Sequence, residues 1–216
     1  QTLRLPIEET PEYVDEDPSQ WANIMDYGAV RDGKTDCTAA IQKALNSGKA
    51  TVWLPGRASY RVTTTLTIPA QVRHITGPHA AIVGKGGFFK DKAHPQPVLK
   101  VAENSGQPLI VEHIDIGGDQ GAIPIEHAST RTVVAKHGGL HGGQGGPGDS
   151  ERPCYTNSVA GGKLFIEDMM GSRYRITGPQ QMWARQLNTE YGTTAMLDVS
   201  GEGAKAWIMG WKTENS

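Results

Sequence analysis

The chain has 216 residues, a net charge of −2 and a pI near 6.4, and only 6% of it is aromatic, while 27 residues are glycine and 13 proline. That length allows one domain with a sizeable core, and the near-neutral charge excludes the basic stripe of a nucleic-acid binder. No run of about 18 apolar residues occurs, so no membrane-spanning helix is expected.

Residues 1–20 are acidic and proline-rich (Pro6, Pro11 and Pro18 among Glu8, Glu9, Glu12, Asp15, Glu16 and Asp17), which reads as an extended lead-in or linker ahead of a domain over 21–216. The chain opens on Gln1 with no signal peptide, as a mature or trimmed form would. Thr35–Gly48 predicts the one helix. Thr35 or Asp36 supplies the N-cap, Cys37, Ala40, Ile41, Ala44 and Leu45 form one apolar stripe, and Gly48 supplies the left-handed stop. The stripe is made of small side chains, so the helix lies close to what it covers. Cys37 and Cys154 are too few for a disulfide framework and match no zinc spacing; Cys37 reads as a buried thiol, and no metal or other cofactor is expected.

Beyond Gly48 the pattern changes to period two. Short strands are expected at Thr51–Leu54, Tyr60–Val62, Thr65–Ile68, Ala81–Val83, Val98–Val101, Leu109–Ile116, Thr132–Ala135, Leu164–Ile166, Met182–Arg185, Ala195–Val199 and Ala206–Met209. A glycine-rich excursion, 138–153, lies between two of them. It lacks the G-K-[ST] ending of a phosphate loop. Trp183 with Thr189-Glu190 recurs as Trp207 with Thr213-Glu214, a W-x5-T-E pattern repeating after 24 residues. A fixed spacing of this size is the mark of a solenoid. The expected fold is therefore all-β: a right-handed parallel β-helix begun by a capping helix, which shields the first coil's open edge.

The stretch Asp26-Tyr-Gly-Ala-Val-Arg-Asp-Gly-Lys-Thr-Asp-Cys-Thr-Ala-Ala-Ile-Gln-Lys-Ala resembles the entry motif of the pectate-lyase-3-type β-helix superfamily, D-[FY]-G-A-x-x-D-G-x-T-D-D-T-x-A-I-Q-x-A, with Cys37 where a second Asp is usual. Thr51-Val-Trp-Leu-Pro-Gly, Tyr60-Arg-Val and Thr65-Leu-Thr-Ile-Pro look like that family's first coil, so the strong match covers 23–77. The superfamily includes family 55 exo-β-1,3-glucanases, polygalacturonase relatives and phage tailspikes. The motif is structural: Gly28 and Gly33 permit turns, and Asp32 and Asp36 hold backbone N–H groups. The resemblance implies a secreted or periplasmic protein handling a polysaccharide or oligosaccharide. It also implies a second β-helix module or an oligomer contact covering the C-terminal coil, as in two-module glucanases.

Three groups of residues could carry chemistry. Charged residues end successive coils: Lys136 and His137, Glu167 and Asp168, Arg185 and Glu190, Lys212 and Glu214. Strands about 4.8 Å apart could bring carboxyls to the spacing of a glycosidase pair, and Asp168 with Glu190 is the first choice, with Glu167 and Arg185 beside them. The same residues also fit a ladder of weak surface ion pairs. Glu112-His113-x-Asp115, Asp119 and Glu126-His127 form a second group, in which alternation puts Glu112 and Ile114 on one face and His113 and Asp115 on the other. They fit acid–base work or plain turn capping. Substrate contacts are expected from Trp183, Trp211, Arg173, Tyr174, His137, His141 and Lys212, although a Trp repeated at coil spacing equally fits a packing position. A glycoside hydrolase using a carboxylate pair on the outer face is the leading expectation. A non-catalytic carbohydrate-binding or structural module, half of a duplicated enzyme, or a polysaccharide lyase are the alternatives.

Overall fold

The computed structural model describes residues 5–143, 152–190 and 195–214. After a short strand β1 (Ala22–Asn23) come helix α1 (Thr38–Leu45) and strands β2 (Thr51–Trp53), β3 (Ala58–Val62) and β4 (Leu66–Thr67). Long and short strands then alternate: β5 (His74–Gly84), β6 (Gln96–Val101), β7 (Leu109–Gly118), β8 (Ala122–His127), β9 (Val133–His141), β10 (Pro153–Asn157), β11 (Lys163–Gly171), β12 (Arg173–Thr177), β13 (Gln181–Glu190), β14 (Leu197–Ser200) and β15 (Lys205–Glu214). All pairings are parallel. One sheet runs β1-β2-β5-β7-β9-β11-β13-β15, with β3 also paired to β5, and the other runs β4-β6-β8-β10-β12-β14. Each coil thus contributes one long and one short strand, the winding of a parallel β-helix. Trp183 pairs with Trp207, Thr189 with Thr213 and Glu190 with Glu214, so the W-x5-T-E repeat is one coil in register.

Each long strand from β5 on bends once at a residue with positive φ, and Arg57, between β2 and β3, begins the same column. Arg57, His79, His113, His137, Asp168 and Gln186 (φ 45 to 57°) stack on successive coils, and Gly210 (φ 96°) ends the column. A non-glycine residue there is strained by about 1–2 kcal/mol. Asp and His tolerate the region better than most residues, and turning the chain at the same point in every coil keeps the hydrogen-bond ladders aligned. This column corrects the alternation reading. Val111 and Ile114 both enter the core, while Glu112 and Asp115 point outward on the two sides of the His113 corner. A left-handed residue inside a strand resets the inside–outside phase, and period-two counting cannot see it.

Helix α1 is shorter than expected. Cys37 occupies the N-cap position, and the Asp36 carboxylate accepts from the Thr38 N–H and hydroxyl instead of capping from its own position. The Cys37 N–H is donated to the Arg61 carbonyl, which holds this stretch against the first coil and delays the helix. Asp32 accepts from the N–H groups of Lys34 and Thr35, as the entry motif implies. Ala40, Ile41, Ala44 and Leu45 join the same core cluster as the coils, so the helix closes that end. Cys37 and Cys154 are both buried free thiols.

A polar network lies in the core at His127. His127 is fully buried. Its Nε2 lies 2.6 Å from the Arg131 carbonyl, and its Nδ1 lies 2.7 Å from the Tyr155 hydroxyl and 3.0 Å from Gln180 Nε2. A neutral ring with the proton on Nε2 satisfies this set: Nε2 donates to the carbonyl and Nδ1 accepts. Period-two reading contains no strand over Ala122–His127 or Pro153–Asn157. There, an inward histidine is satisfied by tyrosine and glutamine on later coils, and sequence alone does not show those partners.

Burial lowers the His127 pKa from 6.5 to about 4. The unfolded chain then takes up a proton near pH 6.5 that the native ring refuses until about pH 4. Stability should be flat above pH 6.5 and fall by about 1.4 kcal/mol per unit below it, roughly 3 kcal/mol in all. Glu112 acts in a lower window. Its hydrogen bond to His74, and then its attraction to His74 and Lys136, lower its pKa from 4.5 to about 2, so its contribution is lost only between those values. Urea unfolding between pH 7.5 and 4.5 should show the His127 slope, and His127→Gln should flatten it. An unchanged slope in that variant would sink the assignment.

Candidate functional site: the groove beyond the corner

The corner column divides the outer face of the larger sheet. Before the corner, register aligns His74, Ile110, Val134, Phe165, Trp183 and Trp207 on successive coils, and beside them Glu112, Lys136, Glu167, Arg185 and Met209. The acidic lead-in covers this half. The Trp183 indole N–H is donated to the Pro6 carbonyl at 2.9 Å, and Arg185 donates to the Glu8 carbonyl and the Thr10 hydroxyl. Thr10 is bonded to Glu167, Lys163 pairs with Glu8, Arg73 sits 4.0 Å over the Tyr13 ring, and the Thr51 hydroxyl is donated to Asp15.

Several expected site residues are placed by this. Trp183 is 1% exposed and stacked between Phe165 (5.1 Å) and Trp207 (4.8 Å), so its faces meet other rings and are closed to a sugar. Glu167 and Arg185 are 3.7 Å apart under the lead-in. Tyr174 is fully buried in the core and presents no strip. Arg173 pairs with Asp198 on the outside of the smaller sheet. Trp211 aligns with the core residue Leu187, and its indole N–H reaches back to Thr189, so this half-exposed ring leans over the end of the stack. Lys212 is exposed beside it. Glu190 is 8% exposed and accepts from Asn188. Asp168 stands at the corner aligned with Gln186, four residues before Glu190 in the neighbouring strand, hence about 13 Å away along it. The two are not brought together as a carboxylate pair, because the corner and the strand end are different columns.

Beyond the corner the sheet face is open. Ala81, Asp115 and Gly139 align on three coils, followed by Val83, Gly117 and His141. A cavity of about 440 Å³ is lined by Ala81, Val83, Lys85, Asp115, Asp119 and His141 among others. His141 Nε2 lies 4.0 Å from Asp115 Oδ1. Asp119 accepts from the Gly86 N–H, which fixes that carboxylate. The floor is glycine for a steric reason. A Cβ on Gly118 would stand 2.3 Å from the Gly84 carbonyl oxygen and one on Gly117 3.0 Å from that of His141, and at the corner one on Gly138 would meet the Ile114 carbonyl at 2.1 Å. The glycine-rich run is therefore partly strand: β9 continues through His141, while 144–151 lie outside the described residues. Asp115 and Asp119 were visible in the sequence as acids near a histidine. His141, expected as a substrate contact on a glycine-rich excursion, stands instead at the end of β9, 4.0 Å from Asp115.

One fold neighbour is the surface protein and adhesin PfbA of Streptococcus pneumoniae, with a TM-score of 0.53 over 88% of this chain and 60% of the other, at 14% identity. Residues 21–91 match the family model described as rhamnogalacturonase A/epimerase, pectate lyase-like. The fold is a parallel β-helix, and its first third is similar to the pectate-lyase-like family. The chain is 30% identical over 124 residues to a glucan 1,3-beta-glucosidase of Cochliobolus carbonum, covering 54% of this chain and 16% of that protein. It is 35% identical over 85 residues to the glucan endo-1,3-beta-glucosidase BGN13.1 of Trichoderma harzianum, covering 39% and 11%. The chain thus spans under a fifth of the length of these relatives. Among the described residues no helix is long and apolar enough to cross a membrane.

Proposed function

We propose that this protein acts on a polysaccharide of the β-1,3-glucan class as a glycoside hydrolase, with the sugar chain lying in the groove beyond the corner. The observation that carries the reading is the open cavity of about 440 Å³ in which Asp115 and Asp119 share a glycine-floored surface with His141 and Lys85. Two carboxyl groups are what hydrolysis needs, one to protonate the glycosidic oxygen and one to act as base or nucleophile. Asp119 is fixed by the Gly86 N–H and Asp115 stands beside His141, so both carboxyls of the pair are held on one surface. The names of the glucan-cleaving relatives support the substrate class. A β-1,3-glucan is a wall or storage polymer met outside the cytoplasm, so the reading carries an extracytoplasmic working site with it.

Incubation with β-1,3-glucan should release reducing ends, and Asp115→Asn should lower kcat by about 10²–10⁴-fold while leaving binding within a few-fold. Pectin in parallel, read at the unsaturated-uronate absorbance, distinguishes a lyase. A second reading, a glucan-binding module without chemistry, draws on the short span of the relatives that this chain covers. Saturable glucan binding with no product from the wild-type chain would establish it and end the hydrolase reading.

A further inference from the structure

Three cavities meet at Asp115. The groove of about 440 Å³ holds it together with Ala81 and His141. A smaller one of about 220 Å³ sets it beside His79, His113 and His137 of the corner column. The third, of about 480 Å³, lies toward the entry motif and is lined by Asp115, Ala81, His79, Arg57, Arg31 and Asp32, among others. Strand register shows why they are continuous. Ser59 aligns with Ala81, Ala81 with Asp115 and Asp115 with Gly139, one row across four coils. Asp115 is the one charged side chain in that row, and the residues on either side of it are small. The row covers three steps between neighbouring strands, about 14 Å, which is room for about three sugar rings end to end.

The cavity on the entry-motif side is built from held groups and one free one. The Asp32 carboxylate accepts from the N–H groups of Lys34 and Thr35. The Arg31 guanidinium donates to the Gly56 carbonyl at 2.5 Å. Gly56 is itself pressed against the next coil, since a Cβ there would stand 2.0 Å from the Pro78 carbonyl oxygen. Arg57 differs. Its backbone is fixed at the corner, at φ 53° with its N–H donated to the His79 carbonyl, but its exposed guanidinium has no partner among the described residues. The charges along the whole trough balance: Arg31, Arg57 and Lys85 stand against Asp32, Asp115 and Asp119. A hydroxyl can donate to a carboxylate and accept from a guanidinium, so an uncharged sugar chain uses both signs. A uronate chain would set its own carboxylates against three fixed ones.

We infer that the cavity beside the entry motif is a second sugar subsite of the groove, with Arg57 as the donor that binds a ring hydroxyl there, and that the trough takes an uncharged chain with rings on both sides of Asp115. This rests on the glucan-groove reading. Arg57 binds and does no chemistry. The entry motif therefore does more than shape the first turn, because Arg31 and Asp32 form the far wall of this subsite.

Calorimetry on the full chain carrying Asp115→Asn, in which cleavage is slowed, tests the subsite with β-1,3-linked gluco-oligosaccharides of two to five units. Kd should tighten about tenfold from two units to four and then level off, the worth of one hydrogen bond to a charged group. Adding Arg57→Gly removes the guanidinium and relieves the positive φ, so Tm should hold or rise while the gain with length disappears. Arg57→Lys keeps the charge without the planar fork and should keep part of the gain. Oligogalacturonates of the same lengths should bind at least tenfold more weakly than the glucans. A gain with length that survives Arg57→Gly would overturn the subsite and leave the groove standing. Oligogalacturonate bound as tightly as glucan would overturn the uncharged-chain assignment. If the wild-type chain binds no β-1,3-gluco-oligosaccharide of any length, the groove reading falls and the subsite falls with it.

Discussion

Replacing Arg131 with Met should destabilise the fold by about 3–5 kcal/mol, although this residue touches neither the groove nor the lead-in. Its side chain is 1% exposed and has no carboxylate partner within bonding distance among the described residues. The guanidinium instead donates to the carbonyls of Gln107 (2.8 Å), Val72 (2.5 Å) and Pro108 (3.2 Å), with Pro69 at 3.4 Å. These acceptors lie on the turns of neighbouring coils, so one cation ties together chain segments about 60 residues apart. Burial lowers its pKa to about 10, which still leaves it charged at neutral pH. Methionine fills much of the volume but makes none of these bonds. It strands several buried carbonyls at about 1–3 kcal/mol each, of which solvent entry should recover a part. Urea denaturation read by tryptophan fluorescence gives the difference directly. A loss below about 1 kcal/mol would mean that these turns find other donors and that Arg131 is not a tie.

The same residue shows what a sequence does and does not disclose. The helix stripe, the entry motif and the W-x5-T-E period are local or periodic, and all three appear in the structure, the helix over the shorter span Thr38–Leu45 and Trp183 on Trp207 in register. Arg131, His127 and the column of left-handed corners are defined by partners one or more coils away, and no period in the sequence marks them. The candidate site divides along the same line. Asp115 and Asp119 stand out as acids near a histidine, but which outer half of the sheet stays open depends on where residues 5–17 lie. That is a contact between positions more than 150 residues apart. Reading coil-end charges in order therefore chose Glu167 and Arg185, and reading the repeated ring chose Trp183, all of which the chain's own lead-in covers.

That cover leads to the other large effect. Trp183→Ala should cost about 3–5 kcal/mol and release the lead-in as well. The indole is the centre of the outer cluster, which also contains Ile110, Val134 and Phe165, with Tyr13, Trp207 and Met209 packed against it. Removing it opens the stack between Phe165 and Trp207 and deletes the donor that holds the Pro6 carbonyl. What remains along the lead-in is mainly ionic. Lys163–Glu8 is 43% exposed on both sides, and Glu9, facing Arg185, is 94% exposed. Pairs this wet contribute about 0–1 kcal/mol and weaken with salt, so Lys163→Met alone should change stability by less than about 1 kcal/mol. Trp183→Phe keeps a ring but not the N–H, and should fall between the two by losing about one hydrogen bond. Limited proteolysis follows the consequence for the lead-in. Cleavage within residues 5–17 should be slow in the wild type and in Lys163→Met, faster in Trp183→Phe, and fastest in Trp183→Ala. If Lys163→Met were cut as fast as Trp183→Ala, charge rather than the aromatic cluster would be holding the segment down, and the order of contributions argued for this face would be reversed.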